Sequence, residues 1–208
     1  MSRFSKIKRK GFSLVELLVS FSIVTVILTV IVTSQSTYSD AAALQNLADE
    51  IGLTISQAQA YGIAVRELSP GSEDFSISYG VSVSVIGEED DKAYIFFADR
   101  NADGSYGGNW TCETGGANEC LNKTTISRGN YVEEVCVVSL SGPDQCDNIG
   151  RVDVSFVRPK TEARIVFYNK SGQLYTPLNL MGVKIMLKSS AESIRYIAVY
   201  ESGQISVQ

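Results

Sequence analysis

The 208-residue sequence contains no histidine, only four prolines and a single tryptophan. Histidine is the side chain that most often serves as a general acid or base near neutral pH. The sequence also lacks a Gly-x-Ser-x-Gly elbow, a phosphate-binding glycine loop and a cysteine paired with a base. Catalysis would have to use lysines or carboxylates alone, so we do not expect an enzyme.

Basic residues are absent between Lys10 and Arg66 and are concentrated before Gly11. The five that precede Gly11 are Arg3, Lys6, Lys8, Arg9 and Lys10. Without them, the formal net charge falls from −5 to −10. Because an acidic body of this kind repels polyanions, we do not expect a nucleic-acid partner.

A long apolar run extends from Phe12 to Val32 and is interrupted only by Ser, Thr and Glu16. As a helix it is long enough to cross a bilayer core of about 30 Å. The basic residues ahead of it favour a cytoplasmic amino terminus, which places the chain after about residue 34 on the other side of the membrane. The sequence therefore predicts a single-pass membrane protein with a periplasmic or extracellular body.

Two other kinds of segment share a basic start and an apolar run. A secretory signal has a shorter apolar region that ends in a small-residue cleavage site, and no A-x-A pattern follows this run. A plain signal anchor is the second alternative, and periodicity alone does not exclude it. The order of a basic leader, Gly11, Phe12 and then Glu16 argues against both.

The stretch KGFSLVELLV, residues 10–19, resembles the class III leader of type IV pilins and type II secretion pseudopilins. This resemblance implies cleavage after Gly11 by a prepilin peptidase, methylation of the new amine at Phe12, and assembly into a filament through Glu16. It also implies other pilins or pseudopilins and an inner-membrane assembly platform as partners. Many family members have proline at the position of Thr33, so the usual reason for a helix break is missing here.

The carboxylate of Glu16 needs a partner, because an unpaired charge within a membrane is costly. In the family that this sequence resembles, the partner is the amine of a neighbouring subunit, here that of Phe12.

Ser and Thr residues also form stripes along the helix. They could let membrane helices pack closely, or they could simply bond to carbonyls of their own helix.

Helical periodicity continues beyond the apolar run and then gives way to strands. Leu44, Leu47, Ile51 and Ala58 form an apolar stripe, and Gly62 and Pro70-Gly71 indicate a helix end between Tyr61 and Arg66. Alternation in residues 75–85 predicts a half-buried strand with its serines facing outward. Seven further strands are predicted at 93–98, 132–140, 151–157, 163–168, 182–187, 194–200 and 204–207. The expected fold is α+β, with a long helix packed on antiparallel sheet.

These features divide the chain into a leader (1–11), a membrane and filament-core helix (12–33), an amphipathic continuation (34–66) and a β-rich domain (67–208). The segments RIVFYNKSGQLYTP and YIAVYESGQISV each read as strand, Ser-Gly turn and strand. Their order resembles the GspH/FimT group of minor pseudopilins and minor pilins. The function implied is that of a structural filament subunit.

A filament-tip binding module for DNA uptake or adhesion is the alternative function. Some FimT-like minor pilins bind DNA through basic residues near the C-terminal end, but here no basic residue follows Arg195. Only Arg158, Lys160 and Arg164 form a loose basic group.

Four cysteines fit an exported domain. Cys112 and Cys120 lie eight residues apart and Cys136 and Cys146 ten apart. Four cysteines allow three pairings. We favour the one that joins Cys112 to Cys120 and Cys136 to Cys146, because each disulfide then closes a short loop and stabilises the fold by roughly 2–3 kcal/mol. A zinc site is the alternative, but the sequence has neither histidine nor Cys-x-x-Cys spacing.

The stretch DRNADGSY places Asp99, Asn101 and Asp103 at alternate positions before Gly104. This pattern matches the opening of a calcium loop, which makes Ca²⁺ the one cofactor to consider. The expected bidentate glutamate is replaced by Trp110, so further ligands would have to come from Glu113 or Glu119. An Asx-rich turn between strands is the favoured interpretation.

Overall fold

A computed structural model describes residues 11–64, 77–113, 118–157 and 159–208, with the backbone alone for residues 33–37. The chain divides into two compact units, Met1–Ser39 and Asp40–Gln208. Helix α1 spans Leu14–Ile63 and includes residue 33. The strands follow it as β1 (Ser78–Ser84), β2 (Ala93–Asp99), β3 (Cys120–Thr125), β4 (Tyr131–Ser139), β5 (Ile149–Phe156), β6 (Ala163–Asn169), β7 (Leu174–Tyr175), β8 (Leu180–Lys188), β9 (Ile194–Tyr200) and β10 (Ile205–Val207).

The strands form two antiparallel sheets. Six strands in the order β3-β2-β1-β5-β6-β7 make sheet 1, and four in the order β10-β9-β8-β4 make sheet 2. A short 3-10 helix, Asp90–Lys92, precedes β2. The predicted α+β class with antiparallel sheet is therefore confirmed.

The part of α1 in the second unit packs on the sheets through the apolar stripe that the sequence predicts. Leu44, Leu47, Ile51 and Ala58 are all buried. They belong to a core that includes Val81 in sheet 1 and side chains from sheet 2. An amphipathic helix gains most of its stability from such packing, so this stripe fixes the helix to the domain.

The predicted burial of β1 is wrong on one face. Every residue of β1 is buried, including the serines that alternation places in solvent. Residues 100–113 and 118–119, here called the outer loop, cover this face: Tyr106 packs against Phe97 of the neighbouring strand with ring centroids 5.6 Å apart. Strand alternation reports only which face is apolar, and it cannot predict a loop that returns to cover the polar face.

Most predicted strands agree with the structure to within a few residues, but β3 was not predicted. Its sequence, CLNKTT, has only one large apolar residue, and the strand lies at a sheet edge with much of its surface exposed. Edge strands of this kind carry little periodic signal. Leader residues 1–10, residues 65–76 around the predicted helix end and strand start, and Arg158 lie outside the described residues.

Candidate functional site

The start of α1 carries the residues that the sequence analysis assigns to processing and assembly. Glu16 lies in the first turn, and its N–H donates to Ser13 Oγ at 3.2 Å, so Ser13 caps the helix. Gly11 and Phe12 precede the helix, and Phe12 is 74% exposed. The three residues therefore lie close together at one helix end.

Residues Leu14–Val32 form the one helical segment within the described residues that is long and apolar enough to span a membrane. None of its residues is buried inside the protein. Three hydroxyls along it donate to carbonyls of their own helix at 2.7–2.9 Å: Ser20, Thr25 and Thr29. These bonds show that the hydroxyls can be satisfied without a neighbouring helix.

The second candidate site, at the start of the outer loop, is a closed hydrogen-bond arrangement. Asp99 is buried, and its carboxylate accepts from the Ser78 hydroxyl at 2.7 Å and the Gly104 N–H at 2.8 Å. Asp103 accepts from both the N–H and the hydroxyl of Ser105, at 2.8 and 2.7 Å. Asn101 Oδ1 accepts the N–H of Asp103 at 3.0 Å.

The carboxylate of Asp103 is held in its charged form. Burial opposes ionisation, but the hydrogen bonds from Ser105 and Asn101 outweigh it and lower the pKa of Asp103 below its ordinary value. Gly104 adopts a φ of +79°, a conformation that suits glycine. These features match the Asx-rich turn, and the calcium loop stays a prediction.

Glu119, one of the two further ligands considered for calcium, already accepts hydrogen bonds from the backbone of the outer loop. It is buried and accepts the N–H groups of Arg100 at 2.9 Å and Gly107 at 2.7 Å. Glu113 is exposed and accepts the hydroxyl of Thr111 at 3.1 Å. Glu119 thus binds both ends of the outer loop's first turn and fixes its shape.

A calcium titration tests this site directly. We expect the melting temperature of the EDTA-treated chain in detergent to stay unchanged on addition of millimolar CaCl₂, because N–H and hydroxyl donors already satisfy the carboxylates of Asp99 and Glu119. A ligand that binds only the native state raises the free energy of unfolding, by about 2.7 kcal/mol at a hundredfold excess over Kd. The melting temperature then rises as well. A calcium-dependent rise that Asp103→Asn abolishes would contradict this expectation, and MgCl₂ at equal concentration is the control.

A buried ion pair, which the sequence analysis did not identify, anchors the middle of the outer loop. Asp153 in β5 is completely buried and pairs with Arg151 Nη2 at 2.5 Å. The same carboxylate accepts the Tyr106 N–H at 2.9 Å and the Ser82 hydroxyl at 2.5 Å. The available signal was an Arg and an Asp two residues apart in a predicted strand, a spacing that places both on one face.

Tyr106 and Tyr168 flank the Arg151 guanidinium. Its carbon lies 4.5 Å from the ring centroid of Tyr168 and 5.6 Å from that of Tyr106. Burial raises the pKa of Tyr106 to about 12, so its phenol stays neutral at physiological pH and donates to the Asn109 carbonyl at 2.5 Å. Hydrogen bonds therefore join the described residues of the outer loop to one another and to β5.

The structure contains two disulfide bonds, as expected for an exported domain. One joins Cys112 in the outer loop to Cys120, the first residue of β3, and the other joins Cys136 in β4 to Cys146. Among the described residues no cysteine is free. Since both pairs are oxidised, these thiols are not available as zinc ligands.

The basic group considered for DNA binding is partly neutralised. Lys160 pairs with Glu162 at 3.5 Å, and Arg164 donates to the Ala102 carbonyl at 3.4 Å. These contacts and the acidic net charge reduce the attraction for phosphates.

A family model described as the prokaryotic N-terminal methylation motif matches residues 6–32. The match supports a type IV pilin-like protein, a class that is structural rather than enzymatic. The motif implies assembly with other pilins and processing by a peptidase, and together with the apolar helix it fits a membrane-anchored pilin. A search of the curated proteins finds no significant match, and a search of the solved structures also finds none.

Proposed function

We propose that this chain is a minor pilin or pseudopilin, a structural subunit of a type IV pilus or a type II secretion pseudopilus. The observation that carries the proposal is the methylation motif at residues 6–32, which contains Gly11, Phe12 and Glu16. The exposed apolar helix and the disulfide-bonded α+β domain support it. The GspH/FimT subtype rests on the order of the two C-terminal hairpins.

The proposed maturation and assembly of the chain has three steps. A prepilin peptidase cleaves after Gly11 on the cytoplasmic face, the amine of Phe12 is methylated, and the helix stays in the inner membrane with the body in the periplasm. The subunit then enters a filament. The proposed segments are leader 1–11, membrane helix 12–33, amphipathic helix 34–66 and β-rich domain 67–208.

Glu16 is the proposed assembly residue. Its position in the first turn of α1 places its carboxylate near the helix amino terminus, where negative charge is favourable. In a filament, the Phe12 amine of a neighbouring subunit would neutralise it, and this pairing would set the axial register. A carboxylate that loses its partner in an apolar environment is costly, so assembly should depend on the pair.

Replacing Glu16 tests the proposal. In cells that contain the remaining filament components, we expect Glu16→Gln to leave cleaved protein in the membrane and to lower its amount in sheared filaments by about tenfold or more. Immunoblots of the two fractions measure this ratio. Glu88→Gln, which removes the same charge from an exposed loop residue, is the matched control. Normal incorporation of the Glu16 variant would contradict the register argument.

A further inference from the structure

The outer edge of β10 differs from the other sheet edges that the described strands form. Native proteins protect sheet edges with charges, prolines, bulges, very short strands or a covering segment. β3 carries Lys123 and a register shift, and β7 is only two residues long. β4 carries Glu133, and its Val137 pairs with Gln145. The segment QISVQ, residues 204–208, has no charged side chain, no proline and no register shift against β9.

The backbone groups on this edge are positioned to pair with a further strand. Pairing with β9 continues past the last residue of β10, because Gln208 and Tyr196 exchange two N–H···O bonds of 2.8 Å each. Successive residues of a strand direct their N–H and C=O groups to opposite sides, so those of Ile205 and Val207 point away from β9. They lie about 7 Å apart, which is the spacing of the donors and acceptors of an added antiparallel strand.

A groove of about 360 Å³ lies beside this edge, between β10 and α1. On the α1 side, Leu53 is 71% exposed. The absence of a side chain at Gly52 gives the groove room, since a Cβ there would lie 2.9 Å from the Val207 side chain. An added strand can therefore bury an apolar side chain next to the backbone bonds that it forms. The residues that line the groove are Asp49, Gly52, Leu53, Ser56, Ile205 and Val207.

Asp49 gives the groove a negative charge. It is exposed, its carboxylate accepts the Gln45 amide at 3.2 Å, and within the described residues it forms no ion pair. Arg195 donates to the carbonyl oxygen of the same amide, at 2.6 Å, rather than to Asp49. A second copy of β10 would bring no positive charge to the groove, because residues 204–208 carry none. An apolar segment flanked by a basic residue is the better match.

We propose that β10 binds an extended segment of a partner protein, which joins sheet 2 as its fifth strand. The segment lies antiparallel to β10, as the other strands of this sheet lie to their neighbours, and exchanges backbone hydrogen bonds with Ile205 and Val207. It packs one apolar side chain against Leu53 and places a Lys or Arg opposite Asp49. In strand addition the main-chain bonds give affinity and the side-chain pocket gives specificity. This inference goes beyond the proposed function, concerns the second unit alone and does not require filament assembly.

The test uses the full-length chain in detergent micelles, labelled with ¹⁵N. The probe is the peptide acetyl-Lys-Thr-Val-Thr-Val-Thr-amide, whose valines are spaced to lie opposite Ile205 and Val207. We expect it to shift the amide signals of these two residues saturably, with a Kd of about 0.1–1 mM, and to slow their hydrogen exchange about tenfold or more at saturation. The same peptide N-methylated at both valines keeps the side chains but loses two donors, so it should bind at least about tenfold more weakly.

Two variants test the edge and the groove separately. Val207→Pro removes an outward N–H without removing a donor to β9, and it should weaken peptide binding about tenfold or more. Because Val207 also packs on the core, Leu53→Ser is the independent variant: it removes an exposed side chain and should weaken binding about fivefold or more. Leu174→Ser, at a 67% exposed position of sheet 1, should leave binding unchanged. Far-UV circular dichroism verifies that each variant is folded.

The charge of Asp49 is tested by exchanging the basic residue of the probe. A peptide with Glu in place of Lys should bind about threefold more weakly, and Asp49→Asn should remove this difference. An equal affinity of both peptides for the wild type would overturn the assignment of a basic residue to the partner.

Three results would overturn strand addition by a partner. One is the lack of a saturable shift up to about 5 mM peptide, and another is equal binding of the N-methylated peptide. The third is protection of the Ile205 and Val207 amides that grows with protein concentration in the absence of peptide, since a second copy would then occupy the edge. None of these results depends on Glu16, so a failure here is distinguishable from a failure of the filament proposal.

Discussion

Asp153→Ala should destabilise the β-rich domain by about 3–5 kcal/mol, because it leaves the Arg151 guanidinium buried without its counter-charge. Asp153 is completely buried, and its carboxylate also accepts the Tyr106 N–H and the Ser82 hydroxyl. One substitution therefore leaves a largely buried cation without its counter-charge and two further donors without their acceptor. Urea denaturation of the full-length chain in detergent, followed by far-UV circular dichroism, measures the loss.

Two variants separate the charge effect from a general effect of substitution. Asp147→Ala removes the same side chain from an exposed position and should change stability by less than about 0.5 kcal/mol. Adding Arg151→Met to Asp153→Ala should recover part of the loss, because an apolar pair avoids the unpaired charge. An Asp153→Ala variant as stable as wild type would show that the ion pair does not anchor the outer loop.

The same substitution should also release the outer loop. Trp110 is the only tryptophan in the chain and lies in this loop, against a small cluster formed by Ile95, Phe97 and Tyr106. A shift of its emission to longer wavelength in Asp153→Ala, below the urea concentration that unfolds the sheets, would show local opening. The outer loop is thus expected to have its own stability within the domain.

The sequence was sufficient to predict the elements that bury a regular apolar pattern. The stripe from Leu44 to Ala58 and the alternation in β1 come from local periods of about 3.6 and 2 residues, which are set by backbone geometry. The motif of Gly11, Phe12 and Glu16 could be found because its spacing is short and fixed. The methylation-motif match covers this part of the chain.

Features that depend on distant residues could not be predicted in the same way. Asp153 accepts the N–H of Tyr106, 47 positions earlier, and the Ser155 hydroxyl donates to the Gly104 carbonyl, 51 positions earlier. Neither contact leaves a periodic trace in the sequence. The outer loop covers β1 through such contacts, so the full burial of β1 became visible only in three dimensions.

The helix end predicted near Gly62 is correct, but the structure gives this glycine a different role. Its place in the sequence predicts a helix stop, and α1 does end at Ile63. Gly62 itself is helical and buried, and a Cβ there would lie 2.3 Å from the Phe156 carbonyl oxygen and 2.9 Å from its carbonyl carbon. The glycine therefore allows α1 to approach the backbone of β5, which is a packing role rather than a termination role.

Gly62→Ala should consequently destabilise the domain by about 2 kcal/mol or more, although alanine is ordinarily the better helix former by about 1 kcal/mol. Backbone atoms of β5 cannot move aside without breaking the strand pairing. Gly52→Ala is the matched control, since it lies in the same helix and its Cβ would meet only the end of the Val207 side chain, at 2.9 Å. That contact is with a single side-chain methyl rather than with backbone, so helix propensity should offset the crowding and keep the change within about 1 kcal/mol. Urea denaturation of both variants decides the matter: equal stabilities would mean that β5 yields to the helix and that Gly62 serves only to end it.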